Sequence, residues 1–496
     1  MTDTKHWGVQ VPATPIECRN LVAGHWISPE TEWLDVESPY TAQTVGRVAL
    51  STAREVDAVV AGAKAAAGDW ARTPIKERTA LLFRYRELVL QHLDDLANRA
   101  ALESGKTVAE GRAGVLKGVE VLEYALSLQN DLGGAQEVSR GVTCEVRREP
   151  LGVVAGITPF NFPAMVPMWL YPIAVTLGNC FVHKPSEKVP LTAVRMGELM
   201  VEAGFPAGVY SVVNGGRDAV EALVDHPDVK AYGFVGSSAV AKSVYSRATA
   251  LGKRALCLGG AKNHLLVVPD ADPAVTVDGV VSSFTGCAGQ RCMAASLMVA
   301  VGDVDKLIDA IIERAKRLEL GREMGAIIDR AALERLNKAI GRAESEGAKL
   351  RLDGRGIKAP SEYPNGYWLG PTIIDHATPG QECTETELFG PVLTIVRVKN
   401  LDEALELEAK NPYGNATSVF TTRGAVARYV SERATTGMIG VNIGVPVPRE
   451  PFSFGGTKAS RFGQGDITGA GGVELWTSLK KITTKWALQP DQNWMS

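Results

Sequence analysis

The feature that most constrains the fold is a regular alternation of short apolar runs and amphipathic stretches between residues 151 and 248. Each run predicts a strand and each stretch predicts the helix that follows it: strands at 151–157, 180–183, 209–213 and 229–235, and helices at 165–177, 191–202, 218–224 and 238–248. Four strand–helix units with short connections indicate a parallel sheet that helices cover on both faces. Such sheets bind ligands at the carboxyl ends of their strands.

A second α/β region follows, and the chain then ends in a different pattern. Mixed helix and strand patterns continue from about residue 259 to residue 440. The tail at 473–488 alternates apolar and polar residues, with Ile482, Thr484 and Trp486 on one side, which predicts a strand. Because an exposed edge of this kind favours pairing, we expect it to contact another copy of the chain.

Charge and cysteine content narrow the classes of protein. The 53 Lys and Arg residues nearly balance the 56 Asp and Glu residues, so nucleic acids and anionic membranes are poor candidate partners. Seven cysteines, an odd number in a long chain, favour free thiols in a reducing compartment, and we expect a cytoplasmic protein. The charge-free stretch 151–182 holds four prolines, which argues against a membrane span. No metal-binding motif is present, so we expect no metal site.

Cys292 is the first candidate for chemistry. It closes the segment 286–292, in which small residues surround it and the cationic Arg291 precedes it. A nearby positive charge lowers the pKa of a thiol and so supplies the thiolate nucleophile. The alternative is a buried packing cysteine, which is the common role of a lone cysteine. We interpret Cys287 as a packing residue.

Asn161 is the second candidate, within the segment 158–163. It directly follows the predicted strand 151–157, so we expect it at the functional edge of the sheet. A side-chain amide at that edge can donate to a developing oxyanion. A turn-forming Asn between prolines is an equally good interpretation of the residues alone.

Two further strand ends carry polar residues. Lys184 and Glu187 follow the strand 180–183, and a carboxylate there can accept from both hydroxyls of a ribose. Gly236 and Ser237 follow the strand 229–235, where free N–H groups of a helix start can hold a pyrophosphate. The alternatives are a solvated charge pair and a plain turn capped by Ser237.

Taken together and in this order, these segments resemble the aldehyde dehydrogenase superfamily over nearly the whole chain. The resemblance implies that Cys292 is the nucleophile and Asn161 the oxyanion donor. It also implies NAD as the cofactor, with Glu387 and Phe389 in the run 387–391 near the nicotinamide ribose. The cofactor-binding residues that it indicates are Thr158, Pro159, Phe160, Lys184, Ser186, Glu187, Gly236, Ser237, Leu258, Glu387 and Phe389.

The same resemblance implies the domain organisation. We expect an α/β fold with a parallel-sheet NAD-binding domain at 1–133 and 150–258 and an α/β catalytic domain at 259–463. A small β oligomerisation arm is expected at 134–149 and 464–496. Such an arm implies a homodimer or a homotetramer.

One departure from the family pattern concerns the base that activates water. Most members carry that base as a Glu in a Glu-Leu-Gly-Gly-Lys segment, which matches 257–262 here. Aligned on Lys262, Leu258 stands at the Glu position; if a residue is inserted, Cys257 does. Neither side chain is a carboxylate base. This loss resembles the methylmalonate-semialdehyde dehydrogenases, which release the acyl group to coenzyme A.

The resemblance therefore implies NAD-dependent oxidation of a small, carboxylated semialdehyde through a Cys292 thioester, with acyl transfer to coenzyme A. A hydrolytic, CoA-independent dehydrogenase of another small aldehyde is the alternative. Phe162, Arg291 and Lys117 are the expected substrate-binding residues. Lys117 stands where that subfamily usually carries an Arg, and a Lys lacks the fork that grips a carboxylate with two hydrogen bonds. Arg291 is expected either to favour the thiolate or to hold the substrate carboxylate.

Overall fold

The computed structural model describes residues 8–130 and 133–486. Residues 1–7 and 131–132 of the predicted NAD-binding domain, and residues 487–496 of the predicted arm, lie outside the described residues. The strands are β1 (Ile16–Cys18), β2 (Asn20–Val22), β3 (His25–Ile27), β4 (Trp33–Glu37), β5 (Thr44–Ala49), β6 (Gly134–Ser139), β7 (Val142–Pro150), β8 (Val153–Ile157), β9 (Cys180–Lys184), β10 (Tyr210–Val212), β11 (Val229–Val235), β12 (Arg254–Leu258), β13 (His264–Val267), β14 (Leu297–Val301), β15 (Lys349–Leu352), β16 (Thr372–Asp375), β17 (Val392–Val398), β18 (Tyr413–Gly414), β19 (Ala416–Phe420), β20 (Met438–Val441), β21 (Thr457–Lys458), β22 (Arg461–Phe462) and β23 (Thr477–Lys485).

The α-helices alternate with these strands over most of the chain. They are α1 (Ala53–Arg72), α2 (Ile75–Gln91), α3 (Leu93–Ser104), α4 (Val108–Ser127), α5 (Met165–Thr176), α6 (Pro190–Glu202), α7 (Arg217–Asp225), α8 (Ser238–Ala250), α9 (Pro273–Thr285), α10 (Asp305–Lys316), α11 (Arg330–Ser345), α12 (Glu382–Glu385), α13 (Leu401–Lys410), α14 (Gly424–Arg433) and α15 (Gly469–Trp476). Short 3-10 turns occupy Leu128–Asn130 and Gly286–Gly289.

The first large sheet contains the four predicted strand–helix units. Its strand order is β22-β12-β11-β8-β9-β10-β2-β3, and β12, β11, β8, β9 and β10 run parallel. Every residue of β8 and β9 is buried, as expected for central strands that are covered on both faces. The predicted parallel sheet is confirmed, and its carboxyl edge carries the segments that follow β8, β9 and β11.

The charge-free stretch 151–182 forms a strand, a buried helix and a second strand. All residues of α5 are buried between the first sheet and the helices α2 and α4. The turn into β8 is fixed by Asn179, whose Oδ1 accepts from the Leu151 and Gly152 amides at 2.7 and 3.2 Å. The stretch is apolar because it forms the core of the first sheet.

The second large sheet has the order β15-β16-β17-β14-β13-β19-β20. Only its edge strand β15 pairs antiparallel, with β16, and the other neighbours are parallel. Helices α9 and α10 pack on one side through a cluster that includes Phe284, Ile308 and Ile311. The segment that carries Cys292 leaves the carboxyl end of α9 and precedes β14, so the second sheet positions it.

A small sheet of order β23-β7-β6 forms from strands within the segments 134–149 and 464–496 that were expected to make the arm. Every residue of β6 is exposed, and Trp486 is 84% exposed. The strand begins later than the alternation predicts: residues 473–476 belong to α15 instead. The reason is burial, since Val473 and Trp476 lie one helical turn apart and pack into the core of the first sheet.

The cysteines Cys18, Cys144, Cys180, Cys257, Cys287, Cys292 and Cys383 are all free thiols. Across the described ranges, His, Cys, Asp and Glu side chains form no group of three or more that could hold a metal ion. No helix within 8–130 or 133–486 has the length and apolar character that crossing a membrane requires.

Candidate active site

The structure brings Asn161 to the segment that ends at Cys292. After β8 the chain turns at Thr158, whose amide donates to the Lys184 carbonyl at 3.1 Å. Asn161 is 6% exposed, and its Nδ2 donates to the Gln290 carbonyl at 3.0 Å. A strand end of the first sheet thus delivers an amide donor to a point two residues before the cysteine.

The backbone that leads to Cys292 is held in an unusual conformation. Cys287 and Ala288 have φ angles of 51° and 52°, in the left-handed region. Non-glycine residues in such regions cost about 1–3 kcal/mol each, so neighbouring contacts must hold them there. Gly289 is required by close approach, because a Cβ at this position would lie 2.0 Å from the Gly390 carbonyl oxygen. The segment therefore packs directly against the segment 387–391.

Two asparagines hold the carbonyl group of Cys292. The Nδ2 atoms of Asn263 and Asn415 donate to the Cys292 carbonyl oxygen at 2.8 and 3.0 Å. Asn415 also donates to Oδ1 of Asn263 at 3.2 Å, so the two amides orient each other. Both asparagines are at least 90% buried, where an unpaired amide is costly. This network fixes the backbone of the cysteine from the side of the second sheet.

Further contacts hold the residues before Cys292. Gln290 donates through Nε2 to the Ala326 carbonyl at 3.1 Å and accepts through Oε1 from the Ile328 amide at 2.9 Å. Oε1 of Glu110, in the first turn of α4, accepts from the Cys287 amide at 2.6 Å. The strained backbone is thus over-determined by side chains from distant parts of the chain.

Cys292 is a half-buried thiol in this structure. Burial raises the pKa of Cys292 to about 12, the carboxylate of Glu387 adds to the rise, and the Arg291 guanidinium opposes it. The proton must therefore leave before the sulfur can act as a nucleophile. Of the two interpretations given to Arg291, its charge has the direction that favours the thiolate.

Arg291 lies against the carboxyl end of α9. Its Nη2 donates to the carbonyl oxygens of Ser282 and Ser283, at 3.1 Å in the second case. A cation is favourable at this negative end of a helix. Its Nε is buried and has no hydrogen-bond partner among the described residues. One donor of the guanidinium is thus unpaired within the described residues.

The predicted ribose pair lies at the end of β9. Lys184 is 4% exposed, and its Nζ lies 3.5 Å from Oε2 of Glu187, whose side chain is 33% exposed. Burial lowers the pKa of Lys184, and Glu187 opposes that effect. Ser186, between them, accepts through Oγ from the Lys188 amide at 3.3 Å. An ammonium and a partly open carboxylate therefore sit together at the carboxyl edge of the sheet.

The start of α8 lies at the same edge. The Gly236 amide donates to the Leu258 carbonyl at 3.1 Å, which places the ends of β11 and β12 side by side. Ser237 is the N-cap residue, and its side chain makes no capping hydrogen bond. First-turn N–H groups without a side-chain cap suit a pyrophosphate. Together with Lys184 and Glu187, these residues fit a dinucleotide.

The segment 387–391 closes the site from the second sheet. The rings of Phe160 and Phe389 contact edge to face at 5.7 Å between centroids, and Phe389 has a φ of 58°. Pro159, beside Phe160, is half-buried. Burial raises the pKa of Glu387 to about 7, against the opposing effects of the Ala261 amide and the Lys262 ammonium. The Glu387 carboxyl group therefore titrates near neutral pH, and its charge acts on the pKa of Cys292.

Phe162 and Lys117 lie on the side of α4. A Cβ built on Gly114, in α4, would lie 3.6 Å from the half-buried Phe162 ring. One turn further along α4, Lys117 Nζ lies 2.6 Å from Oε2 of Glu120. Glu120 also lies 3.6 Å from Arg449. The Lys117 charge is thus balanced by a carboxylate, and a second cation lies beside the pair.

Sequence reasoning missed the side chains that hold the cysteine segment. Glu110 and Asn415 carry no local signal, because their partners lie 177 and 123 residues away. Asn263 lies in the segment 257–264, where the base of the family is missing, and Gln290 lies in the cysteine segment 286–292. Nothing in their spacing indicates which groups they bind.

Comparison with known proteins identifies the family. The model of the Aldehyde dehydrogenase family matches residues 26–482. The chain belongs to the aldehyde dehydrogenase family.

Similar members of this family are semialdehyde dehydrogenases. The chain is 41% identical over 478 residues to malonate-semialdehyde dehydrogenase 2 of Geobacillus kaustophilus, covering 94% of this chain and 98% of that one. It is 42% identical over 484 residues to the acylating, mitochondrial methylmalonate-semialdehyde dehydrogenase of Arabidopsis thaliana, covering 96% and 80%.

A solved structure is similarly close. The methylmalonate-semialdehyde dehydrogenase of Oceanimonas doudoroffii superposes with a TM-score of 0.94 at 39% identity, covering 96% of this chain and 99% of that one. A Sinorhizobium meliloti protein, also named as a methylmalonate-semialdehyde dehydrogenase and solved in complex with NAD, superposes with a TM-score of 0.94 at 37% identity. The match covers 97% of this chain and 100% of that one. The aldehyde dehydrogenase fold predicted from the motifs is confirmed.

Proposed function

We propose that this protein oxidises a small carboxylated semialdehyde of the malonate type with NAD and passes the acyl group to coenzyme A. The observation that carries the proposal is the contact of Asn161 with the Cys292 segment, 3.0 Å from Nδ2 to the Gln290 carbonyl. It supports a site in which the Asn161 amide and the Cys292 thiol act on the same carbonyl group. Relatives at 40–42% identity that bear malonate- or methylmalonate-semialdehyde dehydrogenase names support the substrate class.

Cys292 and Asn161 perform the first half of the reaction in this proposal. Cys292 Sγ, as thiolate, forms a bond to the aldehyde carbon, and the carbonyl oxygen becomes an oxyanion. The Asn161 amide donates to that oxyanion, which is charge stabilisation by a fixed dipole. Loss of hydride from the same carbon leaves a thioester on Cys292. NAD supplies the hydride acceptor when it is bound.

The proposed cofactor-binding residues come from the carboxyl edge of the first sheet and from the segment 387–391. Glu187 and Lys184 hold the hydroxyls of the adenosine ribose, Ser186 shapes their loop, and the N–H groups after Gly236 and Ser237 hold the pyrophosphate. Thr158, Pro159, Phe160, Leu258, Glu387 and Phe389 enclose the nicotinamide half.

The second half is release of the acyl group. Cys257 and Leu258 are buried in β12, and neither can act as the carboxylate base that family members use to activate water. A thiolate attacks a thioester without that help, because it is already a strong nucleophile. The sulfur of coenzyme A therefore bonds to the acyl carbon, and Cys292 leaves as a thiolate. Three of the relatives carry the word acylating in their names.

Arg291 binds the substrate carboxylate, and Lys117 assists that binding. The guanidinium of Arg291 supports this assignment, because its planar fork of donors suits a carboxylate and its Nε has no partner among the described residues. Lys117 contributes charge from α4. Phe162 packs against the carbon chain of the substrate.

One observation favours a second function, the hydrolytic oxidation of a small aldehyde without coenzyme A. The carboxyl group of Glu387, with its pKa raised to about 7, is a candidate base for water. In that case acid formation without CoA should rise with pH through about 7, since Glu387 accepts a proton only when ionised. Glu387→Gln should then abolish the rise.

We further propose a homodimer or homotetramer that forms through the arm sheet, with the domain boundaries expected above. The exposed strand β6 supports this assembly, since an exposed edge favours pairing. Free thiols at every cysteine support action in a reducing compartment such as the cytoplasm.

The experiment that tests the proposed function is NADH formation across a panel of small aldehydes, with and without coenzyme A. The panel pairs each semialdehyde with the plain aldehyde of equal length. The proposal expects the highest kcat/KM with malonate-type semialdehydes, an acyl-CoA product and faster turnover with CoA. Equal rates with plain aldehydes and a free acid product would favour the second function.

A further inference from the structure

Lys106 contacts the backbone of Asn161, the proposed oxyanion donor. It is 3% exposed, and its Nζ donates to the backbone carbonyl of Asn161 at 2.5 Å. The same Nζ lies 3.8 Å from the centroid of the Phe162 ring and 4.0 Å from Sγ of Cys287. These neighbours match in number the three N–H donors of an ammonium group.

A charge in this place is expensive. Burial lowers the pKa of Lys106, although Cys287 and Glu110 oppose the effect. Within the described residues, its Nζ contacts a carbonyl, a thiol and an aromatic ring, and none of these is a carboxylate. A buried charge without a paired counter-ion destabilises the fold, and an apolar side chain of similar length would fill the space at less cost. Packing alone therefore does not explain a lysine here.

We propose that Lys106 is a positioning residue for the oxidation step: it fixes the Asn161 backbone so that the side-chain amide can reach the oxyanion. This rests on the proposed function of Asn161. One N–H of the Asn161 amide donates to the Gln290 carbonyl, which leaves its second N–H for the oxyanion. That donor must lie 2.7–3.1 Å from the oxyanion, so the backbone that carries it has to be held in place.

The attachment of Lys106 is itself rigid. The Gly105 carbonyl accepts from the Ala326 amide at 2.6 Å, and the Lys106 carbonyl accepts from the Tyr40 hydroxyl at 3.0 Å. Four residues later, Glu110 accepts from the Cys287 amide at 2.6 Å. The segment 105–110 therefore supports the oxyanion donor and the cysteine segment from one anchored turn.

The test is a double-mutant cycle on kcat with Lys106→Met, Asn161→Ala and the double variant, assayed with malonate semialdehyde, NAD and CoA. Misplacement of a reacting group can cost about 10²-fold, so Lys106→Met alone should lower kcat by about 10- to 100-fold. In the Asn161→Ala background it should lower kcat by less than about threefold, since the group it positions is already gone. Lys316→Met removes an exposed lysine and is the matched control.

Lys106→Arg and Lys106→Gln enter the same cycle, so the test does not depend on one variant folding. Arg should retain more activity than Gln, because it keeps the positive charge that strengthens the hydrogen bond to the carbonyl. An equal fall in kcat with and without Asn161 would overturn the positioning role, because a structural defect acts regardless of the amide. If Asn161→Ala alone keeps its kcat, the role of Asn161 is wrong, and the Lys106 proposal fails with it.

Discussion

Asn161 and Cys292 meet in one site, but the chain positions them by different means. Asn161 follows the central strand β8, and the geometry of a parallel sheet brings it to the same edge as Lys184 and Gly236. Cys292 follows a segment with left-handed backbone at Cys287 and Ala288. That segment depends on side chains drawn from four other parts of the sequence.

The two halves of the site are held in place by different kinds of contact. The strands of the strand-end half are held by backbone pairing, so replacing a side chain at one strand end should leave the other strand ends in place. The cysteine half is built by side-chain hydrogen bonds around a strained backbone, so losing one support is expected to move the nucleophile. The two halves should therefore respond differently to substitution.

The largest effect is expected at Cys292 itself. Cys292→Ala removes the attacking sulfur, so oxidation should fall by several orders of magnitude while NAD still binds. Cys287→Ala, in the same half, is the control and should keep most of the activity. Steady-state NADH formation and NADH fluorescence titration measure the two properties. Substantial turnover by the Cys292 variant would show that another group is the nucleophile.

The next largest effect is expected at Asn161. Loss of one oxyanion donor costs about 10²–10³ in kcat in well-studied acyl-transfer sites, and we expect a similar fall for Asn161→Ala. Loss of the hydrogen bond to the Gln290 carbonyl should lower the free energy of unfolding by about 1–3 kcal/mol, while the strands of the first sheet stay paired. A large drop in the thermal midpoint with near-normal kcat would instead identify Asn161 as a turn residue.

A smaller effect on rate, with a loss of stability, is expected in the cysteine half. Asn263→Ala leaves the Cys292 carbonyl with one donor fewer, which should cost about 1–3 kcal/mol of unfolding free energy. We also expect kcat to fall by about tenfold, since the nucleophile shifts. The control is Asn400→Ala, which removes the N-cap of α13 and about 1 kcal/mol far from the site. Equal kcat values in the two variants would contradict a positional role for Asn263.

The smallest effect is expected at the ribose pair. Glu187 accepts from a free 2′-hydroxyl but repels a 2′-phosphate, so NAD should be preferred over NADP. Because Glu187 is one-third exposed and lies beside Lys184, Glu187→Gln should reduce that preference by about 1 kcal/mol, a factor of about five. The ratio of kcat/KM values for NAD and NADP measures it. An unchanged ratio would mean that Glu187 points away from the cofactor.

The two halves also differ in how far the sequence alone could predict them. The strands β8, β9 and β11 follow from hydrophobic patterning, and residues at their carboxyl ends inherit a shared location from the sheet. The hydrogen bonds from Asn263 and Asn415 to the Cys292 carbonyl could not be predicted, because they depend on two residues that are 152 positions apart in the chain. The start of β23 was misplaced because the alternation at 473–476 belongs to the buried helix α15.

In the proposed mechanism, coenzyme A rather than water releases the acyl group from Cys292. A missing general base costs about 10²–10⁴-fold, so water should release the thioester slowly. The most direct measurement is rapid-mixing absorbance of NADH with malonate semialdehyde, with and without CoA. We predict a burst of about one NADH per active site without CoA, followed by a slow phase that CoA accelerates. The absence of a burst, with a steady rate that CoA does not change and a free acid product, would contradict the account.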